Sequence, residues 1–509
     1  MKQSFFIIAL LMSSMLARAG EIEVSSTEAL LQALRQAREW RRTGDARCHN
    51  GITIRLKSGR YYMAEPLFLR PEDSGTAESP TIVTAEPGAM LCGDQQQCHE
   101  QLWPAEGMEH LLSFDASKRT ISIATPPKKV LKELGKHEHL EMVVHQRWAI
   151  AILRVKELNV QGDSTILTFM EPESRLEFEH PWPQPVIGGE RGNSSFLLRT
   201  TEQRNGVEEL LVVDGADYIV LENIGFENTC WNRPLHKGHV TLQGGFPLVD
   251  AYKLSEPGLP WDHDLENQAW IERPVSAVTL RNAHHVSINR CLFRHLASTA
   301  LDLTINVSDC QVTGCCFEDI GGTAIMAGSF AESPREVHRP YGNLAERCQR
   351  IKITGNTIYN AANEDWGAVG IGLGYVRDCI VSKNTVSHVN YSGICVGWGW
   401  TPLYTGMENN HIINNKVSDY ARQLYDAGGI YTLSNQPGSV ISGNSISRPH
   451  SAPYATNNRA FCIYLDARSD GFSIENNTTY GVDSSASVRL IRRDEIGDNH
   501  PGPNIIFKQ

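Results

Sequence analysis

The 509-residue chain carries a formal net charge of −11, and no basic patch offers itself to a phosphate backbone, so nucleic acid is not an expected partner. No segment beyond the first residues approaches the roughly 20 apolar residues of a membrane-spanning helix. The length would fit about three ordinary domains, unless the chain grows by repetition along one axis.

Lys2, the apolar stretch from Phe5 to Leu16 and the small-residue site Ala17-Arg18-Ala19 have the layout of a secretory signal peptide. The mature protein is therefore expected to begin after residue 19 and to be secreted or periplasmic. Ser25-Ser26-Thr27-Glu28 reads as a capping box, and Leu30, Leu34 and Ala37 then share one helical face. Such a helix suits the open end of a stacked fold. Strand-like segments follow at Ile52 to Leu56, Tyr61 to Leu69 and Pro80 to Ala85, so a first unit spans residues 20–94. Residues 95–205 break the pattern with a lysine-rich stretch, the run Val143-Val144-His145-Gln146-Arg147-Trp148 and a proline-rich loop from Pro181 to Pro185. They are expected to form an antiparallel β insertion.

Residues 206–509 repeat one theme, in which an apolar alternation meets a turn holding Asn. Copies include Ile351-Lys352-Ile353-Thr354-Gly355-Asn356, Ile380-Val381-Ser382-Lys383-Asn384 and Val440-Ile441-Ser442-Gly443-Asn444. Asn356, Asn384, Asn415, Asn444 and Asn477 recur about every 30 residues, the self-similarity of a solenoid. Period-two alternation without intervening helices predicts an all-β fold, a right-handed parallel β-helix with the asparagines stacked inward as a structural ladder. Cys291 and Cys315, two of twelve cysteines, occupy equivalent positions in successive repeats, which suits small buried residues better than crosslinks. No two-plus-two spacing marks a metal site, and no cofactor is expected.

Aligned copies place Leu301, Ile325, Ile371, Ile394, Ile430 and Ile463 in one inward column, so that Asp302, Cys395, Tyr431, Tyr464 and Asp466 face out along one side. With coils about 4.8 Å apart, that face forms a groove for an extended sugar chain, and an oligo- or polysaccharide is the expected partner. Hydrolysis of a glycosidic bond needs two carboxyl groups. Asp466 ends an outward strand, and Asp426 lies on the preceding coil before Gly428-Gly429, whose missing side chains would admit a ligand; a turn-fixing role for Asp426 is the simpler alternative. Glu364, Asp365, His388, Trp398 and Trp400 are candidate substrate-binding residues together with Tyr431 and Tyr464. The plainer readings are a solvated turn for Glu364 and Asp365, a satisfied structural histidine, and tryptophans that pack over the coil edge.

Gly59-Arg60-Tyr61, Glu72-Asp73-Ser74-Gly75, Phe317 to Gly322, Tyr391-Ser392-Gly393-Ile394 with Gly397-Trp398-Gly399-Trp400, and Asp426-Ala427-Gly428-Gly429-Ile430-Tyr431 occur in this order along the chain. In these motifs the chain resembles glycoside hydrolase family 141. The resemblance implies a β-helix with an antiparallel insertion, α-L-fucosidase or xylanase activity on plant-type glycans, and two catalytic aspartates at Asp426 and Asp466. Two rivals remain in the residues themselves. A polysaccharide lyase would draw on Arg468 with Asp466 and Asp470, and a non-catalytic glycan-binding solenoid would need only the aromatic residues of the groove.

Overall fold

A computed structural model describes residues 20–93, 101–103, 111–135, 139–180, 185–187, 195–200, 206–254, 267–332, 335–336, 344–400, 404–452, 460–466, 468–482, 488–490, 500–501 and 506–508. The segment read as a signal peptide, residues 1–19, lies outside them. No described helix is long and apolar enough to cross a membrane.

Three long parallel sheets run the length of the molecule, with 12, 11 and 10 strands among the described residues. Each complete coil contributes one strand to each sheet, so side chains one coil apart stack directly. In the first sheet Ile353, Val381, Ile412, Ile441 and Ile474 are register partners in turn, all essentially buried. Phe226, Phe293 and Phe317 do the same in the second sheet, their rings stacked at 4.9 and 4.5 Å. The third sheet carries the expected column, Leu301, Ile325, Ile371, Ile394, Ile430 and Ile463. Alternation of apolar and polar residues thus becomes one continuous core, because every inward side chain meets its counterpart from the next coil.

The asparagines form the expected ladder at the turn between the first and second sheets. Asn356, Asn384, Asn415 and Asn444 each donate from Nδ2 to Oδ1 of the next asparagine at 2.9–3.0 Å. Each Nδ2 also donates to a carbonyl one coil back, as Asn415 does to Val381 at 2.9 Å. Cys291 and Cys315 continue this column where the asparagines stop. Their Sγ atoms donate to Leu221 and Ile288 carbonyls, and the Cys315 N–H still donates to Asn356 Oδ1 at 2.9 Å. Asn415→Ala would strip the acceptor shared by the Asn384 N–H and Nδ2 and is expected to lower stability by about 2–4 kcal/mol, read from the urea midpoint. A loss below about 1 kcal/mol would show that the ladder is not a stabilising element.

A helix, Thr27–Thr43, buries Leu30, Ala33, Leu34, Ala37 and Trp40 in the same core as the first strands. Its cap sits one residue later than the Ser25 to Glu28 pattern predicts: Ser26 Oγ accepts from the Ala29 N–H, and Gly44 closes the other end at φ 67°.

The antiparallel insertion is present but is completed from outside residues 95–205. Its central strands, Leu140–His145 and Ile150–Gln161, pair with each other, and Leu140–His145 also pairs with Phe196–Thr200. The sheet then takes in His239–Leu242, which pairs antiparallel with Ala151 and Ile152, followed by Phe246–Leu254 and Asn267–Ile271. Residues 206–509 are therefore not all parallel coil. Between Gly225–Glu227 and Ser276–Arg281 the chain leaves the stack, because the exposed edge of the insertion offers unpaired backbone groups that this excursion covers.

Candidate active site

Asp426 precedes the strand Ala427–Thr432, and Asp466 follows the parallel neighbour Ala460–Leu465. Both strands belong to the third sheet, in register from Ala427 opposite Ala460 to Thr432 opposite Leu465. Tyr431 and Tyr464 are therefore adjacent, and their rings meet edge to face at 5.2 Å. The two phenols cross: Tyr464 Oη donates to Asp426 Oδ1 at 3.0 Å, and Tyr431 Oη donates to Asp466 Oδ2. Each carboxylate is half-buried and held by the tyrosine of the other's coil.

Burial, reinforced by the Asp466 charge, raises the Tyr431 phenol well above its ordinary pKa, and burial with the Asp426 charge does the same to Tyr391. Both stay protonated and act as donors. Tyr391 Oη donates to the Asp426 carbonyl at 3.0 Å and accepts from Gln243 Nε2 at 3.2 Å. Asp426 itself adopts φ 62°, a left-handed conformation that Asp tolerates better than most residues. The glycines after it make room for protein rather than for a ligand. A Cβ on Gly429 would stand 2.5 Å from Ile446 Cγ2, and one on Gly428 would stand 3.1 Å from Tyr464 Cβ.

The outward face is covered more deeply than an open groove. Tyr431 and Tyr464 are each only 3 % exposed, in a small cluster with Leu433 against which Trp400, Cys395 and Phe461 pack. Trp398, read as a stacking platform, is buried among Phe246 and Phe330, at 5.4 and 5.2 Å, so its flanking glycines do not expose it. Trp400 stays half-exposed beside the tyrosines.

The other candidates lie apart from this cluster. His388 belongs to the second sheet, in the strand Thr385–Val389, where its ring packs on Tyr359 at 4.6 Å. The register passes from Ser387 to Val389 and skips it, and its φ of 60° repeats that of Asn360 one coil away, which makes it a bend residue. Asp365 is buried and accepts from His239 Nε2 at 2.9 Å. Glu364 pairs with Arg199 of the insertion at 3.0 Å. Asp302 is held by both Nε and Nη2 of Arg273 at 2.6 Å and is buried.

Sequence reasoning missed Gln243 and gave Tyr391 no role at the site. Tyr391 stands in a quoted motif, whereas Gln243 comes from the excursion, where no repeat marks it. The insertion meets the same region: the Tyr425 N–H donates to the Arg147 carbonyl at 3.3 Å, and His145 lies edge-on to Trp366 at 4.7 Å.

Residues 94–209 match the GH141 insertion domain, and residues 343–500 match a right-handed β-helix region. A solved structure titled "Glycoside hydrolase" is 31 % identical, with a TM-score of 0.83 over 96 % of each chain. The chain belongs to glycoside hydrolase family 141. It is a glycosidase, and its substrate is a carbohydrate. Two other solved structures are far less similar. "The complex structure of XylC with xylose" is 11 % identical, with a TM-score of 0.37 over 85 % of this chain and 64 % of that one. The GH136 lacto-N-biosidase from Eubacterium ramulus is 11 % identical, with a TM-score of 0.37 over 90 % and 62 %. Neither bears on the reaction. No curated protein matches the chain.

Proposed function

We propose that this family 141 glycosidase is exported and cleaves plant-type glycans as an α-L-fucosidase or xylanase, with Asp426 and Asp466 as its two catalytic carboxyl groups. The observation that carries the assignment is the crossed tyrosine pair. Two half-buried carboxylates, one at the start and one at the end of neighbouring strands, each accept a hydrogen bond from the phenol of the other's coil, and burial keeps the Tyr431 phenol protonated. One carboxyl protonates the leaving oxygen, and the other attacks the anomeric carbon or activates water. The substrate classes rest on the motif resemblance, and export rests on the signal-like first 19 residues. Trp400, half-exposed beside Tyr431 and Tyr464, presents an aromatic edge to a sugar ring.

Purified protein assayed on an aryl α-L-fucoside and on xylan is expected to release reducing sugar from one of them. Turnover of neither would overturn the substrate assignment, and an unsaturated, ultraviolet-absorbing product would make the protein a lyase. Tyr431→Phe and Tyr464→Phe each remove one charge-directed hydrogen bond and are expected to lower kcat about 10-fold with an unchanged melting temperature. Unchanged kcat in both would separate the tyrosines from the chemistry. For export, intact mass of protein recovered from outside the cytoplasm should lack residues 1–19; a mass that retains Met1 would refute it.

A further inference from the structure

The excursion and the third sheet enclose a pocket of about 270 Å³, distinct from the aspartate pair. Its floor is made by the turns that lead into successive strands of the third sheet, at Thr299, Thr323 and Ala368, and its wall includes Trp231, Arg233 and His239. Asp426 occupies the same kind of turn two coils beyond Ala368, about 10 Å along the axis.

Three buried polar atoms of the lining have no hydrogen-bond partner: His239 Nδ1, Thr299 Oγ1 and Arg233 Nε. Their chemistry is complementary. Burial lowers the His239 pKa against the opposing pull of Asp365, so the ring is neutral. Because a carboxylate only accepts, the proton sits on Nε2 facing Asp365, and Nδ1 is left as a bare acceptor. Arg233 Nε offers a donor, and the Thr299 hydroxyl can do either. The formal charges of the lining cancel, with Glu208, Glu272 and Asp365 against Arg233, Lys237 and Arg273; Arg233 pairs with Glu272, and Arg273 pairs with Asp302 behind the lining. The half-exposed Trp231 adds an aromatic surface. A site that wants hydroxyl donors, a hydroxyl acceptor and an apolar ring face, but no net charge, fits a sugar ring and not a phosphate or a uronate.

We propose that this pocket is a second carbohydrate site, which holds one uncharged sugar unit. The proposal rests on the chain being a glycosidase and not on the roles given to Asp426 and Asp466. The Gln243 to Tyr391 to Asp426 hydrogen-bond chain places the pocket wall in contact with the aspartate region, since Gly244 and Gly245 of the same turn line the pocket.

The test uses the full-length Asp426→Asn/Asp466→Asn double variant, titrated by ligand-observed NMR with L-fucose, D-xylose, D-galactose and D-glucose. At least one sugar is expected to bind, and Thr299→Val in that background should weaken it about ten-fold, since the hydroxyl has no partner in the folded protein and its loss leaves the fold intact. His239→Phe should weaken it at least as much. Binding of none of the four sugars, binding unaffected by both substitutions, or binding seen in the wild type and abolished in the double aspartate variant would each overturn the proposal. Turnover of an aryl glycoside by the wild type reports separately on the aspartate pair.

Discussion

Asp426→Asn and Asp466→Asn are each expected to lower kcat on a verified glycoside by about 10²-fold or more, with melting behaviour unchanged. The substitution keeps the shape and the Oδ1 acceptor that receives the Tyr464 phenol, so the crossed tyrosine pair survives. What it removes is the ability to carry or release a proton and to stabilise positive charge at the anomeric carbon. Replacement of a phenol partner leaves the carboxyl in place and should cost less, and the order of the two effects is itself a check. Near-wild-type turnover in both single aspartate variants would make the pair structural. Glu364 would then be the next carboxyl to test, because it is 29 % exposed, whereas Asp302 is sealed under Arg273.

The stack was legible because a solenoid places equivalent residues in equivalent environments. One asparagine per coil betrays the ladder, and one aliphatic residue per coil betrays the third-sheet column. Register then brings Tyr431 beside Tyr464 and sets Asp426 and Asp466 at opposite ends of neighbouring strands. What escaped the sequence was whatever the repeat does not encode. The strand His239–Leu242 has its partners at Ala151 and Ile152, about 90 residues back, and nothing periodic announces that pairing. Gln243 and the pocket wall are lost with it. His388 lies in the second sheet for a related reason: spacing orders residues along a coil, but the bend between the second and third sheets decides on which sheet each of them falls. The burial of Trp398 was likewise not legible, since its glycine neighbours mark tight turns that set the indole inward against Phe246 and Phe330.

A buried ion pair joins two strands of the insertion, and removal of its cation is expected to be costly. Arg199 and Glu141 are cross-strand partners within the insertion, both at most 4 % exposed and joined at 2.9 Å. Arg199 also reaches Glu364, in the segment that packs under His145 and leads to Asp365. Arg199→Met would leave the Glu141 carboxylate buried without its cation and is expected to cost about 3–5 kcal/mol, measured by urea or thermal unfolding. Glu364→Gln should cost below about 1 kcal/mol, because that end of the network is reached by water. The double variant Arg199→Met/Glu141→Leu replaces both charges by apolar groups and should recover more than half of the loss, since most of the penalty comes from the stranded charge and not from the lost attraction. If Arg199→Met is tolerated, the insertion is held by its apolar contacts and Glu364 is free to serve the groove; if it is costly and the double variant recovers nothing, the lost attraction and not the stranded charge sets the cost.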